Sequence, residues 1–167
     1  MERWKDWILS CIWGPLLVVQ ILLVIFFGFF NLAKLDLVMY IGWVIWGISM
    51  VLAWLPIIIF KKRGKVPSGK GYVHTTVLVD SGLYSIVRHP QYTAGILFSF
   101  ALILLSQSWI ILAMGAVVIS LLYVDIVNAD KHEIEKFGDE YIEYMKRVPR
   151  SNFLLGIGRK MMKRNGK

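Results

Sequence analysis

Cysteine is almost absent from this chain. Cys11 is the single one in 167 residues, so no disulfide can form within it, and a thiol set among apolar residues is unreactive. Histidine is nearly as scarce. His74, His89 and His132 stand far apart, at no helical or hairpin ligand spacing, and no metal site is expected. Acidic residues number 11 against 19 Lys and Arg, leaving a net charge of +8. No nucleic-acid-binding motif accompanies that charge, so nucleic acid is not an expected partner. Internal repeats and low-complexity linkers are also lacking, and the chain reads as one domain over 1–167.

What is abundant is apolar. Hydrophobic residues make up 57% of the chain, with seven Trp and a mean hydropathy of +0.60. A soluble domain of this size needs a more polar surface. Trp7 to Phe30 and Leu37 to Phe60 are uncharged apart from their flanks. At ~1.5 Å per residue each exceeds the ~30 Å hydrocarbon thickness. The first run is too long for the core of a signal peptide, and no small-x-small site follows Phe30. It is expected to persist as a span. Residues 91–105 and 109–127 form a third and a fourth apolar segment around Ser106-Gln107-Ser108, a tight hairpin whose first arm is short for a crossing.

Charge sets the expected orientation. Residues 61–89 carry Lys61, Lys62, Arg63, Lys65, Lys70 and Arg88 against Asp80 alone, and ten more Lys and Arg follow Asp130. The opposite connections are nearly uncharged. The positive-inside bias therefore places both termini and the 61–89 loop in the cytoplasm. The fold class that follows is an all-α membrane protein of about four transmembrane helices. An amphipathic cytosolic helix over about 128–148 follows the last span, because Ile134, Phe137, Tyr141, Met145 and Val148 recur at helical spacing. Residues 159–167 read as a basic tail, either touching lipid headgroups or simply solvated. Tyr72–Val79 is β-rich in composition but equally suits a surface loop. Gly42, Gly47 and Ser49 suit close helix packing, within the chain or between chains.

Two polar blocks break the apolar pattern. Gly82-Leu83-Tyr84-Ser85-Ile86-Val87-Arg88-His89-Pro90-Gln91-Tyr92 sits at the foot of the third apolar segment, and Pro90 suits the first position of a helix. Arg88 and His89 would then stand at a helix mouth suited to a carboxylate. Singly, Arg88 is explained by snorkelling, and Tyr84 and Tyr92 by interfacial placement. Asp125 lies where apolar residues still dominate, so its carboxylate needs a partner, for which Arg88 or Arg147 are candidates. The second block is Phe137-Gly138-Asp139-Glu140-Tyr141-Ile142-Glu143-Tyr144-Met145-Lys146-Arg147-Val148-Pro149-Arg150.

In this order the two blocks resemble the isoprenylcysteine carboxyl methyltransferase and phospholipid methyltransferase family, over roughly residues 72–150. The resemblance implies an integral membrane enzyme that uses S-adenosylmethionine on a lipid-like acceptor entering from the bilayer. Carried onto this chain, His89, Pro90 and Tyr92 would hold the amino-acid end of the cofactor. Val79, Gly82, Leu83 and Tyr84 would line the rest, and Tyr141 and Tyr144 would close over it. The family's paired Glu falls here on Ala129-Asp130, so one acid is missing and the other shortened. Members acting on prenylcysteine carry Arg where this chain has Asp125. Asp130 is the first expectation for a base or cofactor contact and Asp125 the second, with Arg88 and Arg147 as the expected cations of the site. An acid at 125 suits an amine headgroup better than a carboxylate. A membrane reductase using NADPH shares the Arg-His-Pro-x-Tyr element, although Val148-Pro149-Arg150 follows the methyltransferase form. A lipid-binding protein without catalysis is the remaining alternative.

Overall fold

The computed structural model describes residues 3–71 and 73–165, all helical or irregular, with no strand among them. Helices α1 (Arg3–Phe26), α2 (Asp36–Arg63) and α4 (Trp109–Phe137) are long and apolar enough to cross a membrane. Helix α3 (Pro90–Ser106) has 17 residues, or ~25 Å of rise, and is the short apolar arm expected from the sequence. Two further helices follow, α5 (Asp139–Arg147) and α6 (Phe153–Asn165). The chain divides into two compact units. One comprises Met1–Val51 and Tyr92–Asn128, the other Leu52–Gln91 and Ala129–Lys167.

In the first unit α3 and α4 form the hairpin. Cβ atoms added at Gly95 and Gly115 would lie 3.1 Å from Leu122 and 2.5 Å from Ile103 respectively. The paired numbers sum to nearly the same value, which is the signature of antiparallel helices. Gln107 makes the turn at φ 56°. Its side chain both accepts from Leu35 N and donates to Leu35 O, at 3.0 Å each. Asn31 N and Leu32 N donate to Leu105 O and Ser106 O, so the α1–α2 connection is stitched to the hairpin turn. Val24, Leu102, Leu105 and Ile111 form the packed centre. Gln20 is fully buried beside it, accepting from Ser99 Oγ at 2.9 Å and donating to Ile111 O at 3.1 Å. Gly42 of α2 approaches Leu104 and Leu105 of α3, a close packing within the chain. Val18, Leu22, Ile25, Trp43, Val44 and Val51 face outward, an apolar exterior of the kind a bilayer covers.

The second unit departs from the sequence expectation in two places. The helix expected over 128–148 is two helices, because Gly138 takes φ 58°. That left-handed conformation costs glycine little, and it ends α4. Gly138 N closes α4 by donating to Ile134 O at 2.8 Å. The basic tail expected from 159 is helical to Asn165, within α6. Asn152 caps α6, its Oδ1 accepting from Leu155 N at 2.9 Å. Gly166 and Lys167 lie outside the described residues, as does Tyr72 of the β-rich segment. The rest of that segment is a loop tied to the end of α2: Thr76 N donates to Gly64 O and Thr76 Oγ1 to Lys65 O. Arg63 Nη1 reaches Ser81 Oγ at 2.8 Å.

Helix α6 is docked by an absence of side chain. A methyl group placed on Gly156 would overlap the carbonyl oxygen of Ile86, whereas one on Gly158 meets nothing within 4 Å. We therefore expect Gly156→Ala to displace α6 and lower the thermal midpoint of the detergent-solubilised protein. Gly158→Ala should hold or slightly raise it, since alanine is favoured over glycine in a helix by about 1 kcal/mol.

Candidate functional site

The second unit gathers its polar groups around one carboxylate. Asp130, on the last turns of α4, is 3% exposed. Its Oδ1 accepts from Arg88 Nη1 at 3.0 Å, from Tyr141 Oη at 2.8 Å and from His89 Nε2 at 2.7 Å. Its Oδ2 accepts from Arg150 Nε at 2.6 Å. A carboxylate that only accepts has about four lone-pair positions, and here four donors converge on them. Three share Oδ1, one more than its lone pairs, so those contacts compete. The tautomer of His89 follows from its neighbour, since Nε2 must carry the proton to face a carboxylate.

Each donor is delivered by a specific local device. Gly82 takes φ 68° and opens a short 3₁₀ turn, Gly82–Ser85, that buries Leu83 and Tyr84. Tyr84 stacks on Phe60 of α2 with ring centres 4.6 Å apart. Pro90, fully buried, begins α3 and leaves Arg88 and His89 just ahead of the helix. Backbone bonds from Arg88 N to Pro149 O and from His89 N to Arg150 O join this segment to the chain after α5. Val148-Pro149-Arg150 therefore turns inward, and Arg150 reaches Asp130. On α5, Tyr141 and Tyr144 meet edge to face at 5.6 Å and pack with Val148, Leu78, Ile134 and Phe137. Tyr144 Oη donates to Tyr84 O at 2.5 Å. Burial raises both phenols above their usual range, and for Tyr141 the hydrogen bond to Asp130 adds to the effect. Both stay protonated donors at physiological pH.

The residues singled out from sequence are thus distributed unevenly. Arg88, His89, Asp130 and Tyr141 meet directly, and Tyr84 and Tyr144 are bonded to each other beside them. Val79 and Leu83 are buried, while Gly82 is exposed. Arg147 lies on the surface, 3.5 Å from Asp80. Asp125 and Tyr92 belong to the first unit. There Asp125 accepts from Trp13 Nε1 at 2.6 Å, with Ser10 Oγ at 3.4 Å. Both α1 partners are neutral donors.

Three features escaped the sequence reading. Arg150 was visible as part of the Val-Pro-Arg motif, but nothing in its spacing says that it turns back to Asp130. Arg88 Nε is buried and has no hydrogen-bond partner among the described residues, which leaves a donor for an incoming acceptor. Glu133, one turn beyond Asp130, is half-buried and within electrostatic reach of both His89 and Asp130. It is the acid near this cluster that no hydrogen bond or ion pair engages among the described residues.

Known proteins match part of this chain. The family model described as phospholipid methyltransferase matches residues 37–140. The chain is 27% identical over 100 residues to Protein-S-isoprenylcysteine O-methyltransferase B of Arabidopsis thaliana, covering 54% of this chain and 51% of that protein. It is 31% identical over 72 residues to the cobalt-zinc-cadmium resistance protein CzcN of Cupriavidus metallidurans, covering 43% and 33%. A nickel-cobalt-cadmium resistance protein, NccN of Alcaligenes xylosoxydans xylosoxydans, is 28% identical over 75 residues, covering 45% and 35%. The matched region is thus about half the length of these relatives or less. No solved structure matches the chain.

Removing a single partner from a buried charge cluster costs about 3–5 kcal/mol, because the other charges stay buried. Asp130→Ala should therefore lower unfolding stability by an amount of that order, measured by thermal or denaturant unfolding in detergent. Tyr144→Phe loses one buried hydrogen bond and should cost about 1 kcal/mol.

Proposed function

The chain belongs to the phospholipid methyltransferase family, and from that premise we propose that it transfers a methyl group from S-adenosylmethionine to a lipid-like or other amphiphilic acceptor. The observation that carries the cofactor assignment is the buried, unpartnered Nε of Arg88. A buried donor left unmade costs about 1–3 kcal/mol, which an acceptor oxygen brought by a ligand recovers. With His89 beside it, this corner suits the cofactor's carboxylate. The buried Val79, Leu83 and Tyr84, with Tyr144, suit its apolar and aromatic portions.

Bound there, S-adenosylmethionine supplies an activated methyl on a sulfonium, and transfer needs alignment and exclusion of water more than a strong base. The protein's part follows from its own contacts. Asp130 is engaged by four donors, so its role in this reading is positioning: it orients Arg88 and His89 and ties α5 to them. Tyr141, held protonated, donates to that same carboxylate and fixes the closure. Glu133 is left to take a proton from an acceptor that starts protonated, or to hold a cationic group. The basic excess on the 61–89 loop and the C-terminal region favours a cytosolic site in an integral membrane protein.

The test is titration of the protein in nanodiscs with S-adenosylhomocysteine. Saturable binding is expected. Arg88→Lys, which keeps the charge but removes Nε and the planar fork, should weaken it roughly tenfold, or ~1.4 kcal/mol. Glu133→Gln should bind the probe as the wild type does and lose methyl transfer to lipid extracts. Absence of binding by the folded wild type would sink the reading.

A further inference from the structure

Helix α6 turns the wrong face outward for a helix in water. Leu154, Leu155, Met161 and Met162 are 80%, 43%, 58% and 69% exposed. With Gly158 they occupy positions i, i+1, i+4, i+7 and i+8, a single stripe along one side of a helix. The opposite side is the docked one. Gly156 lies about 200° around the helix from Gly158 at ~100° per residue, and it is Gly156 that rests on the Ile86 carbonyl while Gly158 faces open space. Lys160 Nζ donates to Ser85 Oγ at 2.8 Å, a second fastening on the docked side. The apolar stripe is therefore a consequence of how α6 is held and not of loose placement.

The charge pattern says what covers it. Phe153–Asn165 contains no acidic residue, and Arg159, Lys160, Lys163, Arg164 and Lys167 are concentrated from 159 onward. Arg159 is exposed beside the stripe. An apolar stripe bordered by cations is the chemistry of an interfacial helix, which sinks its apolar side to the acyl boundary and pairs its cations with anionic headgroups. A second copy of this chain would bring the same positive charge to the contact and be repelled. The protein is itself built around membrane-spanning helices, so a bilayer surface is at hand.

We propose that α6 is an in-plane anchor that binds the anionic surface of the membrane through Leu154, Leu155, Met161 and Met162, with its basic residues on the headgroups. The inference is independent of the methyl-transfer reading. It places a lipid contact on the helix fastened to Ser85 and Ile86, immediately before Arg88 and His89.

The chain with Cys11→Ser provides the background for single labels at Leu154→Cys, Met162→Cys and Arg159→Cys. These positions are exposed and touch neither the docked side nor the candidate site. The labelled proteins are placed in nanodiscs of zwitterionic lipid, with or without anionic phospholipid, and fluorescence is quenched by a lipid carrying a nitroxide near the top of its acyl chain or by aqueous iodide. With anionic lipid present, labels at 154 and 162 should be quenched by the nitroxide several-fold more than the label at 159, with the reverse order for iodide. High salt or purely zwitterionic lipid should shrink that contrast. Labels at 154 and 162 open to iodide in both discs would overturn the proposal. So would protection from both quenchers with cross-linking between copies, which would make the stripe a protein contact. A contrast indifferent to lipid charge and salt would remove the anionic surface as its partner.

Discussion

One carboxylate holds the polar half of this structure together. Asp130 accepts from Arg88 and His89 ahead of α3, from Tyr141 on α5 and from Arg150 beyond it. Those residues are scattered over more than sixty positions of sequence, and without a shared anion two guanidiniums would repel each other in a confined space. The arrangement is worthwhile only as a set. Desolvating a carboxylate and its cations costs several kcal/mol each, and close hydrogen bonding on every side is what offsets it. The backbone pairing of 88–89 with 149–150 and the bond from Tyr144 to Tyr84 hold the same segments from outside the charge cluster.

The other unit meets a different constraint. Between apolar helices in lipid there is no hydrophobic drive toward association, so small residues and interhelical polar contacts carry more of the specificity. Gly42, Gly95 and Gly115 let neighbouring helices approach closely. The buried Gln20 links α1 to α3 through Ser99 and to α4 through Ile111. Trp13 and Ser10 of α1 reach Asp125 on α4. Helix α1, which lies outside the family-matched residues 37–140, is thus fastened at two places by polar contacts that its hydropathy does not reveal.

Much of this was legible beforehand, for identifiable reasons. Span positions follow from run length, and the hairpin from the polar Ser106-Gln107-Ser108 interruption. The start of α3 follows from Pro90. The helix break at 138 was obscured because the apolar period continues from Ile134 to Val148 across it, and periodicity does not register a left-handed glycine. The fold of residues 159–165 was hidden by their charge, since solvated tails and interfacial helices share a composition. In the site, Arg88, His89 and Asp130 could each be singled out by motif, although the partner expected for Arg88 was Asp125. Arg150 could not, because its approach depends on the chain reversing after α5, and no local residue pattern encodes the partner of that reversal. The bond from Trp13 to Asp125 was equally invisible, being a contact between segments more than a hundred residues apart.

A shared acceptor also shapes how such a site can change over generations. Where four side chains lean on one oxygen pair, the order in which members are lost decides the outcome. An acid lost first leaves two stranded cations, while a cation lost first leaves the acid with other company. The same pair of substitutions is therefore harmful in one order and tolerable in the other. Related chains are expected to differ here in blocks, with an acid at position 130 among the last features to turn over, while the stripe of α6 varies freely among apolar residues.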